Sequence, residues 1–131
     1  MHSSSLISLA YLPAPLHLYR AERFHERLMG VWRRPLAEHQ ALWLLPCLAV
    51  HTLGLRASLD ILFLDVQGRL LRQVDKLAPN RCVWHWAAHS VVELPGGYCQ
   101  RHPRYRLALR QALQQAAAQG NAPEASGDVR M

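Results

Sequence analysis

The residues able to do chemistry in this chain gather in one stretch. Pro46 to Asp65 sets His51, Thr52 and Asp60 inside otherwise apolar, strand-like sequence. Polar groups in such surroundings need partners, because burying them unpaired is costly. A histidine beside a carboxylate can move protons near neutral pH. The same residues also suit a buried network, in which Asp60 or Glu93 pairs with Arg27 and with backbone N–H groups while Thr52 satisfies a turn.

A second series is Cys82-x-x-His85-x-x-x-His89, followed by Cys99-x-x-His102. On a helical turn positions 82, 85 and 89 would share a face, and sulfurs with imidazoles suit tetrahedral zinc. The halves are closely spaced, and Trp84 and Trp86 suggest ordinary packing. The favoured expectation is therefore a surface His-rich loop with no metal and no cofactor. Cys47, among apolar neighbours, reads as an inert buried thiol. Arg101, Arg104, Arg106 and Arg110 are candidates for contact with phosphate, acidic headgroups or an acidic partner, or simply form a solvated helix face. No Gly-x-Ser-x-Gly elbow, phosphate-cradling loop or dinucleotide fingerprint selects an enzyme class.

These residues must be positioned by short strands and two helices. Leu6 to Leu12 and Leu16 to Tyr19 read as strands on either side of Pro13 and Pro15. Ala21, Phe24, Leu28, Val31 and Trp32 fall at helical spacing, so an amphipathic helix is predicted over 21–33, ending before Pro35. Ala41 to Leu45, Leu48 to Thr52, Leu59 to Leu64, Arg69 to Asp75 and Ser90 to Leu94 read as strands. Leu59 to Leu64 is apolar on both faces apart from Asp60, which makes it central. Asp65-Val66-Gln67-Gly68 is a hairpin turn. After Pro103 the period is helical again, with Tyr105, Leu109, Ala112, Leu113 and Ala116 on one face.

The chain has 131 residues, enough for one domain with a real core. Its net charge is +6, and Lys76 is the only lysine among 15 basic residues. Such a surface attracts anions without naming one, and the usual signatures of specific nucleic-acid binding are missing. Three cysteines and no secretory signal point to reduced thiols in the cytoplasm. No stretch reaches the roughly 18–20 apolar residues of a membrane span.

Six pieces in order resemble one family. They are Arg23-x-x-x-Arg27-Leu28-Met29-Gly30; Leu42-Trp43-Leu44 with Pro46-Cys47; Val50-His51-Thr52-x-Gly54; Leu59-Asp60 with Phe63-Leu64-Asp65-x-x-Gly68; Pro79-x-Arg81; and Val92-Glu93-Leu94-Pro95-Gly96-Gly97. Over about residues 16–100 the chain resembles the domain-of-unknown-function 192 family, also called uncharacterised protein family 0127, in its Cys-x-x-Val-His-Thr form. The resemblance implies an α+β fold: a small, mostly antiparallel sheet curling into a partial barrel, with one helix after the first strand. It implies no activity. It makes Arg27, His51, Thr52, Asp60 and Glu93 recurrent motif positions, hence ligand-binding candidates. The chain departs from the family after Gly97, where a basic helix, Arg104 to Ala118, replaces the closing strand and either covers the open edge or docks a partner.

The expected organisation is an N-terminal arm over 1–15, a single domain over 16–102, the basic amphipathic helix over 103–119, and a disordered tail over 120–131. The expected function is a binding or accessory module with a polar pocket around His51, Asp60 and Glu93. Alternatives are an acid–base enzyme using Asp60 or Glu93 with His51, and a module docking an acidic protein or anionic ligand through its C-terminal helix.

Overall fold

A computed structural model describes residues 12–21 and 35–119. The strands are β1 (His17–Ala21), β2 (Gln40–Leu44), β3 (Ala49–His51), β4 (Leu59–Leu64), β5 (Leu70–Leu77), β6 (Cys82–Trp84) and β7 (Ser90–Pro95). Two helices follow, α1 (Tyr98–Arg101) and α2 (Tyr105–Ala118). The fold is α+β. Most of the predicted helix over 21–33 and all of the predicted 120–131 tail lie outside the described residues, and Ala21 closes β1.

Five strands form one sheet in the order β1-β2-β7-β4-β5, and β3 pairs with β6 in a separate two-stranded ladder. The pairings are antiparallel except β1 with β2, which is parallel. The sheet is therefore mixed and open, with β1 and β5 at its edges, rather than closed into a barrel.

β4 sits between β7 and β5, and Asp60 to Leu64 are fully buried, as its two apolar faces require. The β4–β5 turn forms as the sequence indicates. Asp65 accepts the amides of Gln67 and Arg69 at 2.9 and 2.8 Å, and Gly68 takes the left-handed φ of 81° that favours glycine.

Alternation along the strands divides the core in two. Ala41, Trp43, Leu62, Leu64, Val92 and Leu94 face one side, where Tyr98, Cys99, Tyr105, Ala108, Leu109 and Ala112 of the helices close over them. Leu42, Leu44, Ile61, Phe63 and Val91 face the other, where Cys47 packs together with Val50 and Val83 of the small ladder. The C-terminal helix thus covers a face of the sheet, not its edge. The reason is its own apolar stripe, Tyr105, Leu109, Ala112 and half-buried Leu113, at helical spacing.

The Cys82–His89 segment is also not a helical turn. Cys82–Trp84 is extended and pairs with β3, because Val83 is its inward residue and only a period of two buries it. Trp84 and Trp86 do not pack inside either; both are exposed.

Candidate functional site

Asp60 sits mid-sheet and has no exposed surface. One carboxylate oxygen accepts the amides of Lys76 at 2.8 Å and Gly97 at 2.7 Å; the other accepts the amide of Cys99 at 2.9 Å. The partners come from irregular backbone. Opposite Asp60, β5 carries an extra residue: Leu59 pairs with Leu77 and Ile61 with Val74, and Lys76 has φ 50°. A bulge of this kind leaves an amide without a ladder partner, and Asp60 takes it.

Gly97 caps α1 at φ 81°. Gly96 approaches so closely that an added Cβ would lie 2.8 Å from the Ser58 carbonyl oxygen, so the Gly-Gly pair is required on two separate grounds. Burial pushes the Cys99 thiol well above its usual range, and the neighbouring Asp60 charge and hydrogen bond push it further. Asp60, Asp75 and Cys99 hold ligand-type atoms within 4.8 Å of one another. With three N–H donors already on Asp60 and the thiol held protonated, this group is a hydrogen-bonded anchor for the β5 bulge and the start of α1.

Thr52 is equally enclosed. Its hydroxyl donates to the Ala78 carbonyl at 2.7 Å and accepts the Arg81 amide at 2.9 Å. Its own amide and carbonyl bind Arg81 and Asn80. Thr52 ties the loop between β5 and β6 to the end of β3, the turn-satisfying role among the two that the sequence left open.

Glu93 is buried on the other face. In the β4–β7 register Asp60 stands opposite Leu94, and Ile61 stands opposite Glu93. Asp60 therefore faces the helices, and Glu93 faces the side bearing Ile61, Val91 and the small ladder. The two carboxylates do not form an acid pair. His51, at the end of β3 opposite Cys82, is half-buried. Neither His51 nor Glu93 is without a partner. Arg27 lies outside the described residues.

The Cys/His series does not converge. Cys82 is exposed on β6, while Cys99 and His102 lie on and just after α1. Among the described residues, the group with three or more potential ligands in mutual reach is the Asp60, Asp75 and Cys99 set alone. His85 instead lies 6.1 Å from the Phe63 ring, and its amide bonds the Leu48 carbonyl at 2.9 Å. The His89 carbonyl receives the Cys47 amide at 2.9 Å. Cys47 itself is buried.

The arginines also separate. Arg101 clamps Glu38 through Nε and Nη2 at 2.9 and 2.8 Å, and Arg106 bonds the Tyr105 hydroxyl. Arg104 and Arg110 remain exposed.

Sequence reasoning missed a cluster around α1. Glu38 also bonds His102 at 2.6 Å, and these two partners hold its carboxyl at about 2, below its usual 4.5. The Tyr98 hydroxyl bonds His39 Nδ1 at 2.9 Å, and the His102 ring packs against Tyr98, centroids 4.3 Å apart and planes tilted by 36°. Burial, then Glu38, raises the Tyr98 hydroxyl above its ordinary range. The clue available in sequence was Tyr98 and His102 four apart beside the Gly-Gly pair.

A family model described as "Uncharacterized ACR", that of the DUF192 family, matches residues 12–103. Among curated proteins none matches. A protein of unknown function from Novosphingobium aromaticivorans DSM 12444 has a similar fold, with TM-score 0.57 and 19% identity over 66% of this chain and 67% of that one. A candidate transcription regulator from Sinorhizobium meliloti 1021 is similar at TM-score 0.57 and 19% identity, over 66% and 73% of the two chains. At these identities the likeness is one of fold. In the described residues no helix is long and apolar enough to cross a membrane.

Proposed function

The chain belongs to the domain-of-unknown-function 192 family, and from that premise we propose that it is a binding or accessory module, not an acid–base enzyme working through Asp60. The observation that carries this reading is the state of Asp60: enclosed, with both oxygens bound to backbone amides. A general base must reach the proton it takes, and this carboxylate faces helix and bulge. The binding surface belongs to the opposite side of the sheet, where His51 and Glu93 remain as candidates, with Arg27 joining them by motif position.

The curl of the sheet toward a partial barrel, with β3–β6 as its flap, belongs to the same proposal. So does a cytoplasmic location, supported by three free thiols. Docking of an acidic partner through α2 narrows to Arg104 and Arg110.

Native mass spectrometry of freshly purified protein tests the reading. The expected result is a mass above that of the denatured chain, from a retained ligand or partner, reduced by Glu93→Gln. Catalytic turnover that Asp60→Asn abolishes without loss of stability would replace it with the enzyme reading.

A further inference from the structure

The least expected residues on the surface are Trp84 and Trp86, 49% and 81% exposed. Tryptophan is largely buried in most proteins. Here the ring is displayed on rigid backbone. Trp84 ends β6, paired with Ala49. The turn after it is pinned by His85 N to Leu48 O at 2.9 Å, Ala88 N to His85 O at 3.0 Å and His89 N to Leu64 O at 2.8 Å. The His85 ring beside Phe63 anchors the turn from inside. Trp86 therefore stands out from a fixed turn whose preceding residue is tied into the core.

The segments that carry these rings and their partner strand hold charge of one sign. The stretches 39–59 and 76–92, which contain β3 and β6, hold no Asp or Glu. Every described carboxylate is engaged or enclosed elsewhere. Glu38 is bound by Arg101 and His102, Asp65 by Arg69, Asp75 lies with Asp60 and Cys99, and Glu93 is buried. Arg72 stands opposite Phe63, hence on the ladder's side of the sheet, and its guanidinium bonds the Trp84 carbonyl at 3.2 Å. Exposed Arg81 immediately precedes β6.

We propose that β6 and its following turn bind single-stranded nucleic acid without sequence preference, bases stacking on Trp84 and Trp86 and phosphates meeting Arg72 and Arg81. Flat rings beside cations are the recurring solution for single strands, because every base has a π face. A bilayer surface is usually met by an amphipathic helix or a dense basic cluster. Two rings on a strand and its turn, with guanidinium groups from β5 and from the residue before β6, match a few nucleotides instead. The inference rests on the binding-module reading and names its partner.

Anisotropy of a fluorescent oligothymidylate, titrated at about 50 mM salt, tests it. The wild type binds, Trp86→Ala weakens binding about tenfold, and Trp86→Phe restores most of it. Arg72→Ala or Arg81→Ala flattens the logarithmic salt dependence by about 0.7 each. Both tryptophans are exposed, so these variants keep the fold, which circular dichroism checks. Absence of wild-type binding overturns the inference, as does equal binding by Trp86→Ala. Capture of phosphatidylserine vesicles without capture of the oligonucleotide also overturns it. If no oligonucleotide binds but native mass spectrometry finds a retained small ligand, the inference falls and the binding-module reading stands.

Discussion

Asp60 and Glu93 are diagonal neighbours on adjoining strands, and they serve opposite sides of the molecule. Asp60's side is closed by two helices, and its charge is matched by three backbone amides of a bulge and a helix start. Glu93's side meets a short ladder, three residues in each strand, with Trp84 at its end and Trp86 just beyond it exposed. One side has turned a buried charge into architecture. The other carries the candidates of the proposed binding surface. A carboxylate buried in a sheet is thus not a site marker by itself; the side it faces and the donors waiting there decide its role.

Four experiments bear on that contrast, the largest effect first. Deleting residues 104–131 uncovers Leu62, Leu64, Val92 and Leu94, which α2 now shields. Burial of each such side chain is worth about 1.5–3 kcal/mol, and the truncated chain is expected to lose its cooperative unfolding transition and aggregate. A truncated chain that unfolds at the same denaturant midpoint would reduce α2 to an appendage and break the contrast.

Asp60→Ala strands the amides of Lys76, Gly97 and Cys99. Hydrogen bonds to charged groups contribute about 1.5–3 kcal/mol and unsatisfied buried donors cost about 1–3. A loss of about 3–5 kcal/mol in denaturant unfolding is expected. A shift below about 1 kcal/mol would mean that Asp60 is not the anchor.

Thr52→Val keeps the shape and removes the hydroxyl bonds to Ala78 and Arg81. It is expected to cost about 1–2 kcal/mol and to speed amide exchange at Arg81, read by hydrogen-exchange NMR. Unchanged exchange there would release the β5–β6 loop from Thr52.

The smallest effect is electrostatic. Arg101 and His102 depress the Glu38 carboxyl to about 2 from 4.5. The stability this pairing adds is present above pH 4.5 and is lost as pH falls toward 2. Both partners are substantially exposed, so after solvent screening the contribution is under about 1 kcal/mol. Glu38→Gln should flatten that part of the stability–pH curve. Identical curves for wild type and variant between pH 4.5 and 2 would show the pairing to be inert.

The regular parts of the fold were legible in the sequence. Leu59 to Leu64, its Asp65–Gly68 turn and the C-terminal helix follow from local rules: unbroken apolar runs, turn chemistry, and apolar residues at i, i+3 and i+4. β5 runs two residues further than its period suggested, because the bulge at Asp75-Lys76 disrupts the alternation on which the reading depends. β6 was not legible, since three residues carry too little pattern to separate strand from helical turn. Its pairing with β3 supplies what the pattern lacks.

The candidate residues were legible as types but not as a group. Thr52 and Asp60 belong to the polar network that the sequence offered as one alternative. That Asp60 and Glu93 face apart depends on the register between β4 and β7, since a shift of one residue would exchange the faces.

The sequence alone determined the family and, through that resemblance, the α+β class, because six motif pieces stand in order; it determined the central strand and the amphipathic helix because both are written in local spacing. Only the tertiary structure decided that α2 covers a face, that Asp60 answers to backbone amides, that Glu38 gathers Arg101 and His102, and that two tryptophans stand in solvent. Those outcomes turn on partners up to 64 residues away, and register and packing choose such partners, not local propensity.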